Sequence, residues 1–521
     1  MTGLSRRQFL LTAGGSVAAA SVLAACSSPA PAPTVNPTPT ATPTPVGPPV
    51  WAELSQSVKG TLLLPADTFY DTARLTENPR FDDAAPLAIL EASSAADVAA
   101  GLAFATKYGV PLALRSGGHN YVGWSAGGAS GSGVPPSLVI STATLTDVTL
   151  SADGSTVQVG AGASLAEVYS TVGNAGRALA GGSCATVGVT GLTLGGGVGV
   201  LVRAFGLACD QLTGVEIVTA DGTVHQASAS TDSDLFWASQ GGGGGMLGVV
   251  TGLTFTTQAA PDVTTWYVEW PWSAAAGVIA AWQTWAPSAD NGLWSTLKLL
   301  GGNAHPGQPS VSVSGTWIGS GDLAPQIAPL LNGVSASPTT NQSFHHSYVD
   351  AMMIEAGCQN TPVAQCNTGP GGALTREPSS GTSNIGYTTL DSSGIADLIA
   401  QVNAAQNVAG MTEGGISMDA LGGVVSTVDP SATAFVHRKA LMSVQYTATF
   451  AVGADPTPFD AYVRGFRTTM TNHWQNWAYV NYCDATVPDA QTAYFGANLP
   501  RLTSLKQQYD PHGLFTQPQS Y

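Results

Sequence analysis

Charge is scarce in this chain. Asp, Glu, Lys and Arg make up only 10% of its 521 residues, and 17 basic side chains face 33 acidic ones, a formal net charge of −16. Such a surface repels a phosphate backbone, so nucleic acid is a poor partner; a neutral or cationic small molecule is compatible. The familiar phosphate motifs are also missing. No Walker lysine follows any glycine run, "GAGASL" (Gly160 to Leu165) lacks the third glycine of the dinucleotide fingerprint, and "GGGVGVL" lacks the strand and terminal acid that should follow. No Cys-x-x-Cys or paired-His spacing accompanies the cysteines, so no metal site is expected. "GWSAG" (Gly123 to Gly127) fits the G-x-S-x-G pattern of serine hydrolases. The "AGGASGSGVPP" after Ser125, however, cannot make the helix that a nucleophile elbow requires.

Glycine, by contrast, is abundant at 62 residues, clustered at 117–133, 181–199 and 241–248, each cluster beside a strand. Backbone approaching a ligand and tight turns between small side chains both explain such clusters. The N-terminus carries a twin-arginine stretch, "SRRQFLL", and an apolar run too short to span a membrane comfortably, ending in the lipobox-like "LAAC" at Cys26. Residues 1–26 therefore read as a twin-arginine lipoprotein signal, with a plain signal peptide or an uncleaved anchor as the alternatives, and the Pro/Thr-rich residues 27–49 as an extended tether. The expectation is export to the cell envelope or exterior, with membrane contact only through a lipid on Cys26. Setting Cys26 aside leaves Cys184, Cys209, Cys358, Cys366 and Cys483, an odd number. Cys358 and Cys366 bracket a short loop and are the expected disulfide.

From Pro86 onward, strand and helix patterns alternate. Ser94 and Asp97 begin a helix that Gly109 ends, Ser164 and Glu167 cap another, and Asp153-Gly154 and Asp221-Gly222 mark hairpin turns. After Pro261 tryptophan becomes frequent. Residues 50–260, 261–455 and 456–521 read as a first domain, a second domain and a C-terminal segment returning to the first. Trp266, Trp270, Trp272, Trp282, Trp285 and Trp294 suit either a sugar-stacking surface or a core, and core is the favoured reading.

Five motifs in order, "RSGGHNYVGWS", "GGSCATVGVTGLTLGGGVGVL", "FGLACDQL", "GGGGGMLGVVT" and "YVNYCD…YFGANLPRL…K…YDP…LF…PQS", resemble the berberine bridge enzyme-like FAD-linked oxidases of the vanillyl-alcohol oxidase superfamily. The resemblance implies an α+β fold: a PCMH-type FAD-binding domain of two α/β subdomains with an antiparallel-sheet substrate domain. It implies FAD held by two covalent bonds, from His119 to the 8α carbon and from Cys184 to C6. Both residue types are nucleophiles towards an electron-poor ring.

The same resemblance gives Arg115, Ser116, Gly117, Gly118, Asn120, Gly182, Val187, Gly188, Thr190, Gly191, Gly195, Gly197, Val249, Tyr494 and Asn498 to the cofactor site. It offers Tyr479 or Tyr482 as the base, Tyr479 favoured, with Asp419 in support. The small Val187, three residues after Cys184, implies O2 as electron acceptor and H2O2 as product. His437-Arg438 matches a pair whose favoured role is tying the domains together. "LGGVVSTV" offers Ser426 and Thr427 where some relatives carry a glutamate, which argues against alkaloid cyclisation. Ala185, Gly245-Met246 and His512 are further departures from the family pattern. The implied reaction is hydride transfer from an alcohol carbon to FAD, the anomeric C1 hydroxyl of a sugar or oligosaccharide first. A secondary alcohol of a glycosylated or polycyclic natural product, or a flavin-bearing binding protein without turnover, is the alternative.

Overall fold

Alternation of apolar residues every second position dictates the largest element. Along Leu293–Gly301, the side chains of Leu293, Leu297 and Leu299 are buried in one core, while Trp294, Thr296 and Lys298 turn to the opposite face. Val311 and Val313, Ile416 and Met418, and Val444 and Tyr446 repeat the pattern on neighbouring strands. The strands form a seven-stranded antiparallel sheet in the order Thr340–His346, Val263–Trp270, Ser310–Trp317, Leu293–Gly301, Met411–Ala420, Met442–Phe450, Ser379–Gly386. Its apolar face is covered by the helices Ala275–Trp285, Ser392–Ala404 and Thr457–Trp474. Trp266, Trp270, Trp282 and Trp285 belong to this core, and Trp272 packs at its edge.

The structure, a computed structural model, describes residues 44–521; the leader and lipobox, with most of the Pro/Thr tether, lie outside the described residues. Before the large sheet come two smaller ones. The first orders Thr61–Leu63, Ala88–Glu91, Leu138–Ser141 and Leu112–Arg115, the last three parallel. Its crossover helix, Ala95–Tyr108, starts where Ser94 Oγ accepts from Asp97 N at 3.2 Å and stops at Gly109, whose φ of +64° suits a residue without a β-carbon. The Asp97 carboxylate is drawn away to the backbone N–H groups of Lys59 and Gly60 at 2.8 and 2.9 Å, fastening the preceding segment. The second sheet is antiparallel: Val148–Leu150, Thr156–Gly160, Val249–Thr256, Leu212–Val218, Val224–Ala227. Both hairpins turn at the expected Asp-Gly pairs, and Ser164 and Glu167 form a reciprocal cap on the helix Leu165–Asn174.

Helix Thr457–Trp474 corrects one expectation. Assigned by sequence to the segment completing the first domain, it lies instead behind the large sheet, because Phe459, Tyr462, Val463, Phe466, Met470 and Trp474 all bury there. The chain beyond it does return: Lys506 Nζ donates to the Met246 carbonyl at 2.8 Å and Gln517 Nε2 to the Gly244 carbonyl at 2.9 Å. Arg438, fully buried, grips Asp210 through two bonds of 2.6 and 2.8 Å, so the His-Arg pair ties the large-sheet region to the "FGLACDQL" motif.

Cys358 and Cys366 are disulfide-bonded, their Cα atoms 5.8 Å apart, and pack with Ala185 beside Cys184. Closing so short a loop, with a sequence separation of 8, restricts the unfolded chain by about 2–3 kcal/mol. A Cys358→Ser/Cys366→Ser protein is expected to unfold at a correspondingly lower denaturant midpoint, with its m-value little changed.

Candidate functional site

A cleft of about 460 Å³ runs between the two smaller sheets and the polar face of the large one. Its first wall is glycine loops. Gly118 has φ +74°. A β-carbon on Gly117 would stand 2.2 Å from Gly188 N, so these two loops approach closely only because both lack side chains. At Gly191 an added β-carbon would meet nothing within 4 Å, so bare backbone faces open cleft there. Gly182 and Val249 line the same wall. Ser116 Oγ and Thr190 Oγ1 both donate to the Ala161 carbonyl, at 2.7 and 2.9 Å, which fixes the loops rather than presenting hydroxyls. Asn120 accepts from Val122 N and Trp124 N at 3.2 and 3.0 Å and likewise shapes its own loop. Arg115 spends its guanidinium on the Ala73 and Arg74 carbonyls, at 2.6 and 3.2 Å, and burial holds it down to about 10.

Two nucleophiles stand in this wall. His119 Nε2 lies 2.8 Å from Thr186 Oγ1, and its Nδ1 is 3.9 Å from Glu77. Burial holds the imidazole down to about 4, so at neutral pH it is uncharged and one ring nitrogen keeps a lone pair. Cys184 is exposed and lines the cleft. Desolvation in the cleft pushes its thiol up and Glu77 adds to the effect, while the Lys298 charge opposes it. Val187 sits beside it on the cleft. An uncharged imidazole, a thiol and bare backbone N–H groups in one wall suit a ligand with an electrophilic ring and a phosphate tail; the residues fit FAD.

The opposite wall is the polar face of the seven-stranded sheet, and it joins residues distant in sequence. Pairing sets Thr296 opposite Asp419, Lys298 opposite Ser417, and Ser417 opposite Gln445. Asp419 is lifted above the ordinary carboxylate range by burial, with Thr296 and Lys298 pulling the other way. Tyr482 also lines the cleft, its ring stacked on Tyr121 at 5.3 Å and 18°. Tyr121 in turn accepts a hydrogen bond from Gln445 Nε2. Burial raises the Tyr482 phenol, and Tyr121 and Asp419 raise it further.

Tyr479, the favoured base in sequence, is not on the cleft. It is 1% exposed, and its hydroxyl accepts from Gly197 N and Asn481 Nδ2, both at 2.9 Å. Gly195 and Gly197 belong with it behind the wall: a β-carbon on Gly195 would reach 2.0 Å from Asn481 Oδ1, and one on Gly197 would reach 2.4 Å from Ala208 Cβ. Tyr494 donates to Gln519 at 3.1 Å, and Asn498 holds the carbonyls of Pro430, Thr433 and Ala434 at 2.8, 3.1 and 3.3 Å. These five residues brace the site and do not line it. Ser125 lines the cleft but sits in a single turn between two left-handed glycines, without the helix a serine nucleophile needs.

The sequence reading missed Tyr121, Gln445, Lys298 and Glu355, all of which line the cleft. Tyr121 stands two residues after His119, and Gln445 interrupts the apolar run of its strand; those were the available signals. Behind the cleft, His437 is buried with its Nδ1 2.8 Å from the Tyr387 hydroxyl and its Nε2 without a partner. Burial holds it down to about 4. Its folded value lies below the unfolded one, so its contribution is complete above pH 6.5 and is lost as pH falls towards 4, by about 3 kcal/mol. Unfolding midpoints measured from pH 7 to pH 4.5 are expected to fall, and His437→Leu to flatten that slope.

Comparison with known proteins matches residues 86–228 to an FAD binding domain family and residues 478–520 to the family described as berberine and berberine like. The FAD-linked oxidoreductase YgaK of Bacillus subtilis is 30% identical over 467 residues, covering 88% of this chain and 96% of that protein. A chitooligosaccharide oxidase of Gibberella zeae is 30% identical over 456 residues, covering 84% and 87%. The solved structure of Physcomitrella patens BBE-like 1 superimposes with a TM-score of 0.81 at 27% identity, covering 90% and 98%.

Proposed function

This chain belongs to the berberine bridge enzyme-like FAD-linked oxidoreductases, and on that premise we propose that it oxidises the anomeric C1 hydroxyl of an oligosaccharide, with O2 as final acceptor and H2O2 as product. The observation that carries the reading is one cleft lined on one side by His119 and Cys184 and on the other by Tyr482, Asp419 and Gln445. His119 and Cys184 are the residues to hold FAD covalently. When bound, FAD supplies the hydride acceptor.

The chain's own residues do the rest. An alcohol gives up hydride readily only as its hydroxyl proton leaves, so a base must face the reacting carbon. Tyr482 and Asp419 form that base as a pair: the phenol oxygen accepts the substrate's hydroxyl proton as its own proton passes to the Asp419 carboxylate, whose proton affinity burial raises. Gln445 orients Tyr121, and Tyr121 fixes the plane of Tyr482. The serine, threonine and glutamine side chains of the sheet face suit a polyhydroxylated substrate better than an apolar polycycle, and the relative from Gibberella zeae bears the name of an oligosaccharide oxidase.

Val187, a small residue lining the cleft with Cys184, supports O2 as the acceptor. Export through the twin-arginine leader and anchoring at Cys26 complete the proposal; the disulfide suits an oxidising compartment. Oxygen uptake by the purified protein should begin on adding an oligosaccharide and match peroxide formed one to one. Uptake driven only by polycyclic alcohols would replace the substrate assignment.

A further inference from the structure

We propose that Lys298 and Glu355 form a second subsite in the cleft, a clamp for the hydroxyls of the sugar unit next to the one oxidised. It makes the preferred substrate a neutral saccharide of at least two units. The inference rests on the saccharide reading of the cleft given above.

Both side chains line the cleft, Lys298 from the polar face of the large sheet and Glu355 from the end of the helix Tyr348–Glu355. Among the described residues, neither makes a hydrogen bond or an ion pair, and they do not pair with each other. Lys298 is exposed on the cleft, but Glu355 is half-buried, and its want of a partner contrasts with the paired charges elsewhere in the molecule: Arg438 with Asp210, Arg80 with Asp460, Lys506 with Asp510. A carboxyl taken out of water without a partner costs stability, so a site that keeps one is arranged for something else to bind. The Glu355 carboxyl is lifted by burial, with Lys298 opposing and Asp419 adding to the rise.

A third unpartnered polar group stands on the same strand. The Trp294 indole N–H is buried without an acceptor, and the residue lines the cleft. An ammonium and an indole N–H can donate, and a carboxylate can accept, which is the mixed set that ring hydroxyls require and an apolar polycycle does not.

Register gives the spacing. Asp419 lies opposite Thr296, and Lys298 is two residues further along that strand, opposite Ser417. Two strand residues span about 7 Å, roughly the step from one sugar ring to the next. With two carboxyls against one ammonium on this wall, an anionic substrate is disfavoured.

The test compares a disaccharide with its own monosaccharide, cellobiose with glucose and N,N′-diacetylchitobiose with N-acetylglucosamine. It uses the full chain carrying its flavin and the variants Lys298→Met, Lys298→Arg and Glu355→Gln. Hydrogen bonds to charged groups being the stronger kind, the ratio of kcat/KM for disaccharide over monosaccharide should fall about tenfold or more in Lys298→Met and in Glu355→Gln. It should be largely kept in Lys298→Arg, and the flavin absorbance per chain should be that of the parent. An unchanged ratio in both Lys298→Met and Glu355→Gln, in protein with full flavin content, overturns the clamp alone. A parent protein that no saccharide reduces overturns the functional reading, and the clamp with it.

Discussion

Tyr482→Phe is expected to slow anaerobic flavin reduction by about 10²–10⁴-fold, the range removed when a positioned acid–base group is lost, whereas Tyr479→Phe should leave that step within a few-fold of the parent. The distinction follows from where the two hydroxyls are. Tyr482 opens on the cleft beside Asp419 and Tyr121, while the Tyr479 hydroxyl is consumed by Gly197 N and Asn481 and is shut away from substrate. Tyr479→Phe should instead lower stability by about 1–3 kcal/mol, because two buried donors lose their acceptor. Asp419→Asn should approach the loss seen in Tyr482→Phe. In the parent, kcat/KM should rise with pH through a value above the usual carboxylate range, the direction in which burial moves Asp419. Stopped-flow absorbance at several pH values reads all three. Equal losses at both tyrosines would place the base elsewhere.

The second large effect concerns cofactor attachment. In the parent, the flavin should stay with the polypeptide through acid precipitation and a denaturing gel, giving a fluorescent band and a mass increase of one FAD. Either His119→Ala or Cys184→Ala should keep that mass through the remaining bond. The double variant should release all of its flavin on denaturation. The absorbance spectra of the single variants should differ, because one bond is to nitrogen and the other to sulfur. Release of flavin from the parent would remove both assignments, whatever the activity.

Much of the site was legible because its parts are local. "SGGH" and "GGSC" put a nucleophile behind paired glycines, and both nucleophiles open on the cleft. The large sheet was expected only from the family resemblance, although its strands carry apolar residues at every second position. The tyrosine could not be chosen from a local pattern. In "YVNY" either residue can face the cleft, and the choice is made by a single tight turn at Val480–Tyr482, entered by Tyr479 in extended backbone at φ −103° and ψ 125°. Glycine was ambiguous for a related reason. Gly191 opens on the cleft and Gly195 presses on Asn481, yet both fall within one glycine-rich stretch. Lys298, Ser417 and Gln445 become neighbours only through strand register, which pairs residues 119 and 28 positions apart, and no short window of sequence contains that information.

The measurement that bears most directly on the account is the visible spectrum of the purified full chain, held anaerobic while an oligosaccharide is added and then opened to air. The account predicts a flavin absorbance that bleaches with the saccharide and returns with oxygen as peroxide forms. A flavin that stays oxidised in the presence of every saccharide would contradict it.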